Sequence, residues 1–291
     1  MNLINLGQCV LNALHLFTKQ KIPSLKIPLF KRPLVVGSGN AAVTGKILFK
    51  DTDAVFADES TYQQKLSAIS TIDGAILISA SGGKHAPLIA KELQQRKKEI
   101  ILLTTNLNTS AREYVDEMIV FPKNAEPYTY NTSTYLGMIL AKTNENPQKI
   151  LNHIQKIKIP HILKHYDSFF IIVPAEFDLI REMFFIKFEE LFGPKVSARV
   201  FTVEQAKHAK TIVPSEKELF ISFGWQNTLF GKNRWNIPLA KNTGYGALMA
   251  MGYYVIGQIQ QQHPPYFKQN IERYCKETSK MFGERIKVVV K

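Results

Sequence analysis

Two cysteines in 291 residues, Cys9 and Cys275, are too few and too far apart for a disulfide framework or a structural zinc site. No metal is expected, and a reducing, cytoplasmic setting is. Acidic residues are scarce as well: 24 Asp and Glu against 37 Lys and Arg leave a formal charge of +13. The first 50 residues carry seven Lys or Arg and no acid. No uninterrupted apolar run reaches the ~18 residues of a membrane span, so no membrane partner is expected. The apolar stretch from Met1 to Phe17 lacks a basic leader, and Asn2, Asn5, Gln8 and Asn12 break it. It reads as an amphipathic first helix over residues 3–19, not a signal peptide. Low-complexity segments are missing, and 45% hydrophobic with 21% charged residues is a globular composition. Helix-turn-helix patterning, zinc-finger spacing and interleaved aromatic and basic residues are also missing. The positive charge is therefore read as a lysine-rich surface biased toward anionic metabolites, with nucleic acid disfavoured.

What is present is an alternation of short apolar runs and helical patterns. Strands are expected at Pro33–Val36, Ala54–Ala57, Ala75–Ser79, Ile100–Thr104 and Met118–Phe121. Helices are expected over Ala41–Phe49, Thr61–Ser70, Pro87–Lys97 and Tyr135–Lys142. Such an order indicates a parallel sheet with crossover connections. The polar segment Thr143–Lys149 reads as a linker, and the alternation then resumes. Strands are expected at Phe169–Val173, Ala198–Thr202, Leu219–Phe223 and Lys287–Val290, with helices over Asp178–Phe192 and Tyr245–Gln261. Gly224–Gly246, rich in Asn, reads as a long loop. Two domains follow, residues 1–145 and 146–291, similar in order though without a visible sequence repeat.

Two Gly/Ser turns fall at C-terminal strand ends, where open α/β sheets bind ligands. Ile76-Leu77-Ile78-Ser79-Ala80-Ser81-Gly82-Gly83-Lys84 stops an apolar strand in hydroxyls, backbone amides and a positive charge ahead of a helix. That equipment suits a phosphate. Val36-Gly37-Ser38-Gly39-Asn40-Ala41 is a second such turn. It leaves a nicotinamide-cofactor reading open as a minor one, with Asp58 near the place of a ribose-binding acid.

The first half resembles the sugar isomerase (SIS) domain family. The family's phosphate loop reads approximately Ser-x-Ser-Gly-x-Thr; Ser79, Ser81 and Gly82 match it, and Lys84 stands in place of the threonine. Leu103-Thr104-Thr105-Asn106, Ser110-Ala111-Arg112 and the segment from Glu126-Pro127-Tyr128 to Ser133-Thr134 fall in the family's order. In the second half Val173-Pro174-Ala175-Glu176 replaces a glycine-rich turn, so no second phosphate site is expected. The helix Glu182 to Glu190 is similar to the Glu-x-x-x-Lys-x-Lys-Glu helix of double-domain members. Val203-Glu204-Gln205-Ala206-Lys207-His208 resembles their Glu-Leu-Lys-His segment.

The resemblance implies an α/β protein of two doubly wound, flavodoxin-like parallel-sheet halves in tandem. Phosphate contacts would come from Gly37, Ser38, Gly39, Asn40, Ser79, Ser81, Gly82 and Lys84. Further substrate contacts would come from Glu126, Ser133 and Thr134. Glu189 would act as base between C1 and C2 of a sugar phosphate, with His208 serving ring opening. No cofactor is implied, and a homodimer is. The leading expectation is an aldose–ketose isomerase of a hexose or aminohexose 6-phosphate. A non-catalytic sugar-phosphate sensor, or a phosphosugar lyase or deglycase, stays open beside it.

Overall fold

The computed structural model describes residues 3–209, 211–283 and 285–291. The chain runs α1 (Leu6–Lys19), β1 (Pro33–Val36), α2 (Asn40–Leu48), β2 (Val55–Ala57), α3 (Tyr62–Ala68), β3 (Gly74–Ile78), α4 (His85–Gln95), β4 (Glu99–Thr104) and β5 (Glu117–Val120). It continues with β6 (Glu126–Pro127), α5 (Thr132–Thr143), α6 (Pro147–Ile154), β7 (Ser168–Val173), α7 (Ile180–Phe192), β8 (Ser197–Thr202) and α8 (Val203–Ala209). The last elements are β9 (Glu218–Phe223), β10 (Asn233–Ile237), α9 (Tyr245–Gln262), α10 (Tyr266–Phe282) and β11 (Val289–Val290). The residues group into two compact units. One holds Leu16–Lys123 and Ser133–Asn146; the other holds the N-terminal residues up to His15, Asn124–Thr132 and Pro147–Lys291.

The first of these units is built on a five-stranded sheet in the order β2-β1-β3-β4-β5, every pair parallel. Its central strands read as continuous apolar runs because both faces are covered. Leu34, Val36, Ala75, Leu77, Ile100 and Leu102 pack with Tyr62 and Leu66 of α3 and Ile89 and Leu93 of α4. On the opposite face α2 comes so close that a Cβ on Gly45 would lie 2.7 Å from Val35 Cγ1. Helices on both faces make the sheet doubly wound. The order reverses between β1 and β3, and there the Gly37–Asn40 turn and the Ser79–Lys84 loop leave adjacent strands.

The other unit carries a four-stranded parallel sheet, β10-β9-β7-β8. Counted from β7, this is the 2-1-3-4 order of the first sheet, so the two halves share an architecture that their sequences do not display. Phe170 stacks on Phe220 at 4.7 Å on one face, with Ile172 and Ala206 beside them. Phe169 and Phe223 on the other face meet Phe188 and Phe184 of α7.

Several elements depart from the sequence reading. The expected linker shrinks to residues 144–146, because Pro147 opens α6 at a position where a missing N–H costs nothing. The expected loop Gly224–Gly246 contains β10, whose Asn233 and Asn236 side chains bind neighbouring backbone instead of marking a turn. Residues 287–290 contribute only Val289–Val290, paired antiparallel with β6 and joined to neither large sheet. Helices α8 and α10 were not expected at all. In α10 the buried residues Phe267, Ile271 and Cys275 recur every fourth position among charged neighbours.

Within the second-sheet unit α1 and α9 cross at glycines. A Cβ on Gly257 would lie 2.0 Å from the Gly7 backbone nitrogen, whereas one on Gly7 would meet only the flexible end of Gln258 and other atoms at 3.3 Å or more. Gly257→Ala should therefore lower stability by about 2–3 kcal/mol in urea denaturation, and Gly7→Ala should change it by less than about 1 kcal/mol.

Candidate functional site

The loop after β3 is shaped by hydrogen bonds that draw its carbonyl oxygens to one side. Ala80 O accepts from the Thr105 amide (3.1 Å), the Thr105 hydroxyl (2.8 Å) and the Thr104 hydroxyl (3.1 Å). Ser81 O accepts from Asn106 Nδ2 at 2.9 Å, and Gly82 O from the Thr109 hydroxyl. Negative ends held in this way are not offered to an anion. The Gly82 amide donates to Ser79 Oγ (3.1 Å) and the Gly83 amide to Ser81 Oγ (3.2 Å). Each of these hydroxyls accepts there and keeps its own O–H to donate.

Gly82 has φ +63°, and a Cβ there would sit 2.6 Å from Thr109 Oγ1, so glycine is required twice over. Lys84 lies just ahead of α4 at φ 55°, ψ −108°. Gly39 holds nearly the same conformation ahead of α2, at φ 54°, ψ −126°. Glycine adopts it freely, but a residue with a Cβ is strained there, at a cost of about 1–3 kcal/mol. Lys84 and its neighbour His85 are exposed, and no acid lies between Asp73 and Glu92.

The sequence-derived phosphate residues are not equivalent in space. Ser79, Ser81, Gly82 and Lys84 form one loop. In the other turn Gly37 is pressed against α2, where a Cβ would lie 2.9 Å from the Ala41 carbonyl carbon. Ser38 donates its hydroxyl to the Glu59 carboxylate. Gly39 is open, whereas Asn40 is buried, with its Oδ1 bound to nothing. Asp58, the nearest residue to a ribose-binding acid, spends its Oδ1 on the Ser60 and Thr61 amides and hydroxyls. The Thr61 and Ser60 hydroxyls lead in lowering its carboxyl to about 2. That carboxylate is a turn-former, which weighs against the nicotinamide reading.

Glu126 is buried and accepts from the Thr132 amide at 2.6 Å, a negative charge at the start of α5. Ser133 and Thr134 are buried in the same first turn. Glu189 is exposed on α7 and borders a cavity of about 440 Å³ with Thr129, Glu190, Lys195, Tyr266, Asn270 and Tyr274 among its walls. His208 is exposed on α8 and is not part of that wall.

The residues that sequence reasoning passed over are Lys187 and Glu190. Lys187 is fully buried; its ammonium pairs with Glu190, donates to Thr129 O at 2.8 Å and lies 5.6 Å from the Tyr253 ring centre. Burial pushes the Glu190 carboxyl up, and Lys187 partly opposes the rise. The readable signal was the Lys187–Glu190 spacing of three, which puts both on one helical face. Thr104, Thr105, Asn106 and Thr109, which brace the loop, were visible only as a polar cluster after β4. Among the described residues no group of three or more His, Cys, Asp or Glu could hold a metal ion, and no helix is long and apolar enough to cross a membrane.

No protein-family model matches the chain, and no curated protein matches it in sequence. Solved structures do match it over most of its length. The C-terminal domain of glucosamine-fructose-6-phosphate aminotransferase from Francisella tularensis aligns with TM-score 0.60 at 10% identity, covering 88% of this chain and 93% of that one. Glucosamine-6-phosphate deaminase from Thermotoga maritima aligns at 0.63 and 17% identity, covering 88% and 92%. The tagatose-6-phosphate ketose/aldose isomerase of Escherichia coli aligns at 0.61 and 11% identity, covering 88% and 90%. The chain shares the fold of these structures, two parallel-sheet halves in tandem. The expected two parallel-sheet halves are thus present, and at these identities the likeness is one of fold.

Lys84 is the strained member of this loop, and its strain and its charge can be separated. Lys84→Gly should raise the thermal and chemical stability by about 1 kcal/mol while weakening phosphate binding. Lys84→Ala should weaken binding equally with no gain in stability, because alanine keeps the strained Cβ. Isothermal titration with inorganic phosphate, paired with urea denaturation, reads both.

Proposed function

We propose that this protein binds a sugar phosphate and interconverts aldose and ketose forms of a hexose or aminohexose 6-phosphate. The observation that carries the reading is the Ser79–Lys84 loop, with its carbonyls tied back, Ser79 half-buried, and Ser81 and Lys84 exposed at the switch point of a parallel sheet. The solved structures that share the fold include enzymes named for hexose and aminohexose 6-phosphates, which agrees with it.

In this reading the loop holds the phosphate, and a carboxylate of α7, from this copy or from a second one, carries a proton between C1 and C2. Glu190 suits that task better than the exposed Glu189. A carboxyl raised toward neutrality is the stronger base once ionised, and Lys187 keeps it ionisable. His208 is exposed and away from the cavity wall, and in this proposal a homodimer brings it from a second copy to assist ring opening. The same exposure of His208 favours the rival reading, a sensor that binds the sugar phosphate without turning it over.

Fructose 6-phosphate incubated with the protein in D2O should yield an aldose carrying deuterium at C2, read by NMR. Glu190→Gln should abolish the exchange, and Glu189→Gln should reduce it little. Removing one member of a buried pair costs about 3–5 kcal/mol, so the Lys187→Met/Glu190→Gln double variant serves as the folded control. Absence of exchange with every hexose and aminohexose phosphate that binds would establish the sensor instead.

The sign of the pH dependence follows from the base. Only the ionised carboxylate takes a proton, so turnover should rise as pH passes upward through the raised Glu190 pKa. Lys187→Met removes the opposing charge, and the acid limb of the rate profile should move about one unit or more to higher pH.

A further inference from the structure

We infer that Glu59 is a specificity residue that makes the crevice between the two turns accept one phosphate and refuse a second anionic group. The inference rests on the reading that the Ser79–Lys84 loop holds a phosphate. β1 and β2 pair in register from Leu34↔Val55 to Val36↔Ala57, and the Gly37 amide donates to Ala57 O at 3.2 Å. This pairing sets Asp58 and Glu59 directly beside the Gly37–Asn40 turn. Glu59 closes over it by accepting the Ser38 hydroxyl. Ser38, Gly39 and Glu59 are all exposed, so the carboxylate lies at the mouth of the turn. Asp58, held ionised by its own turn, adds a second negative charge next to it.

The two walls of the crevice therefore differ in sign. On the β3 side stand Lys84, His85 and the hydroxyls of Ser79 and Ser81. On the β1 side the hydroxyl of Ser38 is already given to a carboxylate. A phosphate or carboxylate that sought Ser38 would have to expel Glu59 or lie within a few ångströms of it, well inside the roughly 8–10 Å over which salt screens charge. A sugar hydroxyl or ammonium group meets no such penalty, since it donates to Glu59. The ligand is thus a monophosphate whose far end carries donors. Sugar bisphosphates and phosphorylated sugar acids are disfavoured even though their phosphate fits the loop. Like-charge exclusion of this kind is a repulsive device of specificity and not an added attraction.

The test is isothermal titration of the intact protein and of Glu59→Gln with inorganic phosphate, glucose 6-phosphate, fructose 1,6-bisphosphate and 6-phosphogluconate, at low salt. Glu59 is exposed, so the variant should fold, which its thermal melt checks. Wild type should bind glucose 6-phosphate about tenfold or more tighter than the bisphosphate and the sugar acid. Glu59→Gln should bring the three within about twofold of each other, with inorganic phosphate little changed. Equal affinities in wild type, or a variant that shifts all four ligands alike, overturn the role of Glu59 while leaving the phosphate loop standing. If wild type binds none of the four, the loop reading itself fails and this inference falls with it.

Discussion

The carbonyl oxygens of Ala80, Ser81 and Gly82 are bound by Thr104, Thr105, Asn106 and Thr109, and the rest of the candidate site depends on that set of hydrogen bonds. A short loop cannot present hydroxyls and a lysine to a ligand unless its carbonyl oxygens are satisfied elsewhere. The parallel pairing of β3 with β4 supplies the partners, because the segment leaving β4 runs beside the loop leaving β3. The strained backbone at Lys84 is tolerable for the same reason, since a loop fixed at its carbonyls has few ways to relax. Sheet order, loop braces and the placement of a positive charge are thus one structure seen at three scales.

A second constraint acts on α7. Lys187 is wholly buried and would carry a large desolvation penalty alone; Glu190, Thr129 O and the Tyr253 ring together offset it. Thr129 itself sits at φ 77° and Asn131 at φ 46°, in a segment whose flank is held by Tyr128 N–H bonding Val288 O and by the β6–β11 pair. Such a pair is poor value as a stabiliser compared with apolar side chains of the same volume. Its place beside a cavity, with one carboxyl raised, agrees with the role proposed for Glu190.

The first sheet was legible almost residue by residue because most of its strands are short apolar runs ended by Gly, Ser, Asp or Pro. The loop was legible through the spacing of Ser79, Ser81 and Gly82. What escaped notice was polar or amphipathic. β10 is an edge strand whose Asn233 and Asn236 look like turn residues until their bonds to the Glu216 and Asn227 carbonyls are drawn. α10 follows Pro264-Pro265 and shows an apolar position only every fourth residue. The braces at Thr104–Thr109 are ordinary hydroxyl residues whose partners lie some 25 positions away in sequence, a distance no local pattern can bridge. The buried pairing of Lys187 with Glu190 was not legible either, because sequence gives a helical face but not which part of it meets the core.

The duplicated strand order sharpens why one crevice is a candidate site and the other is not. In the second sheet the switch point lies between β7 and β9, where Pro174 and Gly224 leave the strands. Gly224, at φ +69°, has Leu239 so close that a Cβ would fall 2.7 Å from its Cδ1, with Pro174 Cγ at 3.4 Å. The Tyr245 hydroxyl closes the same region by donating to Glu176 O at 2.7 Å. An apolar side chain and a proline thus occupy the place that hydroxyls and a lysine occupy after β3. Proline also lacks the amide that a phosphate would use. The two halves keep one topology, but the first sets serine hydroxyls and a lysine at its reversal where the second sets a proline and a leucine. What the fold offers twice, the side chains at Ser79–Lys84 and at Leu239 decide separately.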